Sequence, residues 1–503
     1  MPYFGESAFF RPAEPVRLGY TATMGEEIAY SHFRQHDYAR FHKQLADETA
    51  ILHDWFTRRQ LSSRPLCAGY ELEAWLVDDR QQPCPQNEAL LQCAGNPLLS
   101  PELARFNIEL NVPPQTLGGS VLGDFDRSLQ QLWRDCDHHA TALGCNILGI
   151  GILPTLKNAQ LTLANISTLD RYRALNEQVL RLRKGRSIAL NIVGHEHLQT
   201  EHRDVMLEAA ATSLQIHIQT PQHLAKRYYN AAIVLSAPMV AVSSNSPFLF
   251  GKQLWEETRI PVFEQAVPTG GFEHASDGPI QRVGFGMGYA RDSLLECFEE
   301  NREHYPIMLP VHFDDAPEKL RHLRLHNGTV WRWNRPLIGF DDDGTPHLRI
   351  EHRVCASGPS VEDNIANIAF FYGLLHFYAT LIEPPEDELS FAQSKHNFYR
   401  AAQHGINAQA EWLEGARMKI QKLVLDRLLI ESETGLHKLD IDETAIQHYL
   451  GIIEQRMLTA QTGSAWQRIF AQTHHHDMSI LTRTYLQNQR DNQPVHRWGF
   501  AAR

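Results

Sequence analysis

The chain has 503 residues, enough for two or three domains or for one large α+β enzyme around a single sheet. Its 47 Lys and Arg against 59 Asp and Glu give a net charge of -12, which argues against a nucleic-acid or anionic-membrane partner. A hydrophobic fraction of 43% supports a sizeable core, while seven cysteines without a CxxC pair point to reduced thiols in a cytoplasmic protein.

Residues 1–7 lack the basic start and apolar core of a signal peptide. A helical period over 37–58 carries Phe41, Leu45, Ile51, Leu52 and Phe56. Two strands follow, at 68–76 and 105–112. Residues 122–143 read as a helix, 145–152 as a buried strand, 170–183 as an amphipathic helix and 187–193 as a strand. A third strand of the first kind lies at 214–219, and Pro221 opens a helix after it. The longest apolar run, 231–242, is too short to span a bilayer. Composition shifts to Gly, Pro, Ser and charge over 262–288, including Thr269-Gly270-Gly271-Phe272, which predicts a long mobile loop. Strands are expected at 330–333 and 348–354, then helices at 361–382, 387–403, 407–430, 443–458 and 477–489.

Four of these strands alternate between an apolar side and a side of acids, His or Arg. In the first, Glu71 and Glu73 oppose Tyr70, Leu72, Ala74 and Leu76; in the second, Asn107 and Glu109 oppose Ile108 and Leu110. The third sets His217 against Ile216 and Ile218, and the fourth sets Arg349, Glu351 and Arg353 against Leu348, Ile350 and Val354. Strand side chains alternate between faces, so each segment buries one side and presents ligands on the other. Glu71, Glu73, Glu109, His217 and Glu351 are therefore candidate ligands for Mg²⁺ or Mn²⁺, the ions that suit hard oxygens with few histidines. A solvated sheet face gives the same alternation, although these polar faces contain no Lys. Arg349 and Arg353 read either as cross-strand salt bridges or as groups that stabilise a transferring phosphoryl group. Arg259 has the same two readings, a phosphate or carboxylate contact or a surface salt bridge.

Six motifs in order carry a resemblance: Gly69-Tyr70-Glu71-Leu72-Glu73, Phe106-Asn107-Ile108-Glu109-Leu110, Ile216-His217-Ile218, Ser244-Asn245-Ser246-Pro247-Phe248, 348–354 and 396–402. Over about 65–420 the chain resembles the glutamate-cysteine ligase type 2 family, ATP-dependent carboxylate-amine ligases related in fold to glutamine synthetase. The resemblance implies an α+β fold with a curved antiparallel sheet, a funnel of the glutamine synthetase and guanido kinase type, packed by helices. It divides the chain into an N-terminal helical extension (1–64), a catalytic domain (65–420) and a helical C-terminal region (421–503) packed on it. It also implies ATP and Mg²⁺ on the acidic face, with Arg353 and Glu351 catalytic, Arg332 or Arg335 on nucleotide phosphate or substrate carboxylate, and Asn245 near substrate. The implied reaction converts the γ-carboxylate of glutamate to an acyl phosphate and joins it to an amine such as cysteine, the chemistry of glutathione biosynthesis. A homodimer is compatible with this size.

Where relatives carry a His-x-His pair, this chain has Gln215-Ile216-His217. A ligase or phosphotransferase for another carboxylate or guanidino substrate, and a catalytically silent nucleotide- or metal-binding protein, stay open as alternatives. His195-Glu196-His197 with His202 reads as a loop, 474–476 as an exposed helix start, and 284–288 as a flexible loop near the site.

Overall fold

Seven strands form one antiparallel sheet: β1 (Cys67–Val77), β2 (Leu99–Pro101), β3 (Asn107–Thr116), β4 (Asn146–Leu148), β5 (Ser213–Thr220), β6 (Asn334–Phe340) and β7 (Pro346–Ala356). The computed structural model describes residue 28 and residues 32–269 and 281–503. The strand order is β6-β7-β5-β1-β3-β2, with β4 paired to the end of β1, and the sheet curls into a half-barrel. All four alternating segments lie in this sheet, as neighbours in the order β7-β5-β1-β3.

The apolar side of the sheet is covered by helices. Tyr70, Leu72, Ala74 and Leu76 are buried. Tyr70 donates to the Phe125 carbonyl at 3.0 Å and so binds β1 to the Val121–Ala142 helix. Tyr372, on the Val361–Ala379 helix, donates to the carbonyls of Gly69 (3.1 Å) and His217 (2.7 Å), tying that helix to β1 and β5. The apolar run after Pro221 is the Gln222–Val242 helix, buried along most of its length. Among the described residues no helix is long and apolar enough to cross a membrane.

Residues beyond 420 pack directly against these helices. The Leu429–Lys438 helix crosses Val361–Ala379 where Gly435 meets Gly373, and a Cβ added to Gly435 would lie 1.9 Å from the Gly373 carbonyl oxygen. Arg456, on the Glu443–Leu458 helix, donates to Asp363 (2.7 Å), Asn367 (2.6 Å) and the Val242 carbonyl (3.0 Å). On the Met478–Arg490 helix, Gln489 accepts from the Gly149 amide at 2.9 Å and Tyr485 donates to the Gly149 carbonyl at 3.0 Å.

Several expectations are corrected. The mobile loop expected over 262–288 begins inside a buried helix, Arg259–Ala266, and ends in a short parallel pairing of Val283–Gly284 with Trp331–Arg332. Its Gly270-Gly271-Phe272 portion lies outside the described residues, as does the 1–7 segment. The helix expected over 407–430 starts instead as a hairpin, Gln409–Glu411 with Arg417–Lys419, and turns helical at Ile420. Asn397 holds the hairpin from the preceding helix by bonding the Glu411 carbonyl (2.6 Å) and amide (3.2 Å), a tertiary contact that local periodicity does not encode. The Gly463–Thr473 helix was not anticipated; Thr462 caps it by accepting from the Ala465 amide. Of the strand expected at 145–152, only Asn146–Leu148 pairs. The 195–197 segment turns a hairpin between Ile188–Val193 and His197–His202, where Lys252 and the Gln253 amide, each at 2.8 Å, hold Glu196. Cys84 and Cys145 are joined as a disulfide, whereas all thiols were expected reduced.

Gly435→Ala is expected to destabilise the protein by about 3 kcal/mol, the upper end of overpacking costs, because the Gly373 backbone cannot withdraw. A urea midpoint shift measures it; an unchanged midpoint would show that the two helices separate freely.

Candidate active site

Strand register assembles the acidic wall. Glu73 sits directly across from Glu109, and His217 directly across from Glu351 on its other flank. Glu71 and His217 approach to 3.5 Å between Oε1 and Nε2. Glu73 accepts from the Ser213 amide (2.6 Å) and Gln215 Nε2 (2.9 Å), and Glu109 accepts from Ser100 Oγ (2.8 Å). Glu71, Glu73, Glu109, Ser213 and Gln215 line a cavity of about 440 Å³, whereas His217 and Glu351 are outside its lining.

Glu102 completes a trio. One oxygen from each of Glu73, Glu102 and Glu109 lies within 4.8 Å of the others. Burial pushes Glu109 well above the usual carboxylate range, and Glu71, Glu102 and Glu73 push it further. Burial and then Glu102 raise Glu73 to about 8. Crowded carboxylates hold their protons unless a cation takes their place. Buried Glu71 Oε2 and both ring nitrogens of His217 have no hydrogen-bond partner in the protein, which suits them to a metal ion. An oxygen-rich set with a single imidazole fits Mg²⁺ or Mn²⁺.

Toward the β6–β7 end of the same sheet the site turns basic. Glu351 is wholly buried between two guanidiniums: Arg335 donates to its Oε2 from Nε (2.9 Å) and Nη2 (2.7 Å), and Arg353 to its Oε1 (2.6 Å). Burial alone would raise the Glu351 carboxyl; Arg335, Arg353 and His217 overcome it and hold the group at about 2. Glu351 thus departs from its expected place among the metal ligands, since both oxygens are engaged by arginine and it lies outside the trio. Arg353 also stands over the Phe263 ring at 5.7 Å.

The remaining nucleotide candidates divide. Arg335 and Arg259 line the cavity, though Arg259 is committed to Glu257 (3.3 Å) and to the carbonyls of Arg353 (3.3 Å) and Val354. It holds β7 in place and is no surface salt bridge, being 2% exposed. Arg332 points away from the cavity and donates to Glu300 at 2.5 Å, because residue 332 falls on the opposite side of the strand from Trp331, which lines the cavity. Asn245 is corrected as well: it bonds Ser357 (2.7 Å), Tyr485 (2.8 Å) and Gln467 (2.8 Å) in a buried knot beneath the sheet, away from the lining.

Sequence reasoning missed Glu102, Glu208, Arg171 and Arg324, all in the lining. Glu208 had a readable signal, a lone charge inside the apolar run 205–211. Glu102 and Arg171 had none, because Glu102 follows a three-residue edge strand and Arg171 sits in the first turn of an amphipathic helix.

Comparison with known proteins matches residues 67–487 to the model of glutamate-cysteine ligase family 2. Fold, site and match together define a carboxylate-amine ligase. The chain belongs to glutamate-cysteine ligase family 2. Its fold is similar to that of a glutamate-cysteine ligase from Francisella tularensis, determined in complex with AMP (TM-score 0.50, 12% identity, covering 88% of this chain and 91% of that one). It is also similar to a bifunctional glutathione synthetase from Pasteurella multocida (TM-score 0.50, 11% identity, covering 88% of this chain and 55% of that one). No curated protein matches the sequence.

The raised carboxyls set a pH dependence. A group raised in the folded state contributes its full stability below its ordinary value, 4.5 for Glu73, and loses it as pH climbs toward about 8. The cation-free protein is therefore expected to melt lower at pH of about 8 than of about 5.5, and Mg²⁺ to raise Tm more at the higher pH. Glu73→Gln should flatten both responses in a thermal-shift titration. A Tm that rises across this window without cation would contradict the assignment. Glu351 has the opposite sign: its contribution is present above 4.5 and lost toward about 2. Glu351→Gln leaves Arg335 and Arg353 facing each other without a counter-charge, so unfolding free energy should fall by about 3 to 5 kcal/mol, read by urea denaturation.

Proposed function

We propose that the chain uses ATP to activate the γ-carboxylate of glutamate and joins it to an amine, cysteine being the first acceptor to test. The observation that carries this is one cavity lined both by carboxylates, Glu71, Glu73, Glu102 and Glu109, and by arginines, Arg335, Arg349 and Arg353. Triphosphate chemistry needs both, cations opposite the acids and fixed guanidiniums where charge develops. The similar Francisella ligase, whose structure holds AMP, supports a nucleotide in this fold.

On this reading a γ-carboxylate oxygen of glutamate attacks the terminal phosphorus of ATP, and ADP departs with the bond electrons. The free amine nitrogen then attacks the acyl carbon, phosphate leaves with the shared oxygen, and the proton that the nitrogen loses ends on the departing phosphate. Glu71, Glu73 and Glu109, with Glu102 and His217, would hold Mg²⁺, which when bound neutralises phosphate charge. Arg353 faces the transferring phosphate, and Glu351 keeps Arg353 and Arg335 charged and aimed. No protein nucleophile is needed. The reading takes small molecules as partners and, because ATP is supplied inside cells, the cytoplasm as the compartment.

The test is ADP release with Mg²⁺, ATP, glutamate and a panel of amines. Release that requires glutamate together with one amine is the expected result; release driven by a guanidino compound alone, or by none of the pairs, would replace this reading. Arg353→Lys should lower kcat by about 100-fold while the KM for ATP stays within a few fold, because lysine keeps the charge and loses the planar fork.

A further inference from the structure

Glu208 stands on the acidic wall but outside the trio of Glu73, Glu102 and Glu109 whose oxygens converge within 4.8 Å. It opens a single helical turn, Glu208–Ala210, just before β5, in a stretch where Ala209 and Ala211 also line the cavity. Its Oε2 is shielded from solvent and has no hydrogen-bond partner. Leaving a carboxylate oxygen buried and unpaired is costly, so this atom is built for a donor that the polypeptide does not supply. Burial and then the like charge of Glu102 raise the Glu208 carboxyl to about 8, with Arg353 opposing them, so it keeps a proton until a cation takes its place. Glu208 lines the same cavity in which, on the function proposed above, the acyl phosphate forms.

A divalent cation is one donorless partner for such an oxygen, but the converging trio already offers that ion its ligands without Glu208. The reaction brings a second positive group to the same place, because an aliphatic primary amine arrives in water as an ammonium ion. We infer that Glu208 seats the ammonium group of the acceptor, making it a specificity-determining residue that selects primary amines carrying positive charge over neutral nucleophiles. This rests on the proposed function and adds the charge class of the acceptor to it. A charge-assisted hydrogen bond from ammonium to carboxylate holds the nitrogen beside the acyl carbon and satisfies Oε2 in one contact; because an ammonium has no lone pair, it passes one proton to Glu208 before the free amine attacks.

The experiment compares two small nucleophiles on the full-length chain with Mg²⁺, ATP and glutamate. Methylamine is an ammonium ion at neutral pH; hydroxylamine is uncharged there and traps an acyl phosphate as the hydroxamate. In Glu208→Gln the ratio of kcat/KM for methylamine to that for hydroxylamine is expected to fall by about 10- to 100-fold, the reach of one charge-assisted contact. Glu208→Asp should recover part of the ratio. Continued hydroxamate formation in Glu208→Gln shows that the variant is folded and still activates glutamate. Equal loss of both nucleophiles, an unchanged ratio, a higher Mg²⁺ requirement with the ratio intact, or a wild type that uses hydroxylamine and refuses methylamine each overturns the inference. A wild type that forms neither product with glutamate overturns the proposed function, and this inference with it.

Discussion

Confining several carboxylates to one wall of a half-enclosed cavity is the constraint on which the rest of the structure depends. Two carboxylates 4.8 Å apart repel by roughly 3 to 4 kcal/mol at an effective dielectric of about 20. The donors that the fold offers, the Ser213 amide, Gln215 and Ser100, each return on the order of 1 kcal/mol. Local hydrogen bonds therefore offset only part of the repulsion. The balance comes from the arginines and from protons or a metal ion, so ligand affinity and folding stability draw on the same electrostatic imbalance. A sheet curled into a half-barrel suits this, because neighbouring strands aim their polar sides toward a common axis.

Rigidity comes from the other side of the sheet. Tyr372 clamps the backbones of β1 and β5 at the level of His217, and Gly373 on the same helix takes the close contact from Gly435. Arg456 ties three further groups around Asp363. The basic wall has its own anchor at the front: Glu48 of the Gln35–Arg58 helix accepts from the Leu323 amide at 2.8 Å and bonds His322 at 2.6 Å. That pair fixes the Arg321–Gly328 helix, whose Arg321 and Arg324 line the cavity. Each wall is thus positioned by a helix distant in sequence from the residues it positions.

The central strands were legible because period-two alternation is a local property, and Glu71, Glu73, Glu109 and His217 could be read from it onto one surface. Their basic partners were harder. Arg335 and Arg332 lie three residues apart and the sequence weighs them alike, yet only Arg335 faces Glu351. Their odd spacing puts them on opposite faces of an extended run, but which face meets the cavity depends on tertiary contacts such as the short pairing of Trp331–Arg332 with Val283–Gly284. Asn245 shows the converse error, since a motif shared with a family does not distinguish an asparagine that touches substrate from one that holds a turn. Glu102 and Arg171 escaped because a short edge strand has no periodicity to read and an arginine at the start of an amphipathic helix would ordinarily face solvent.

The knot around Gly149 has a consequence for how the protein comes into being. Gln489 reaches a glycine 340 positions earlier in the chain, and through Asn245 and Ser357 the same knot braces the far ends of β4 and β7. Contacts of such separation carry a large loop-closure entropy and form late. During synthesis the N-terminal strands emerge first, with their acids in place but their support still inside the ribosome. Glu71, Glu73 and Glu109 are therefore synthesised well before the Met478–Arg490 helix that completes the knot behind them.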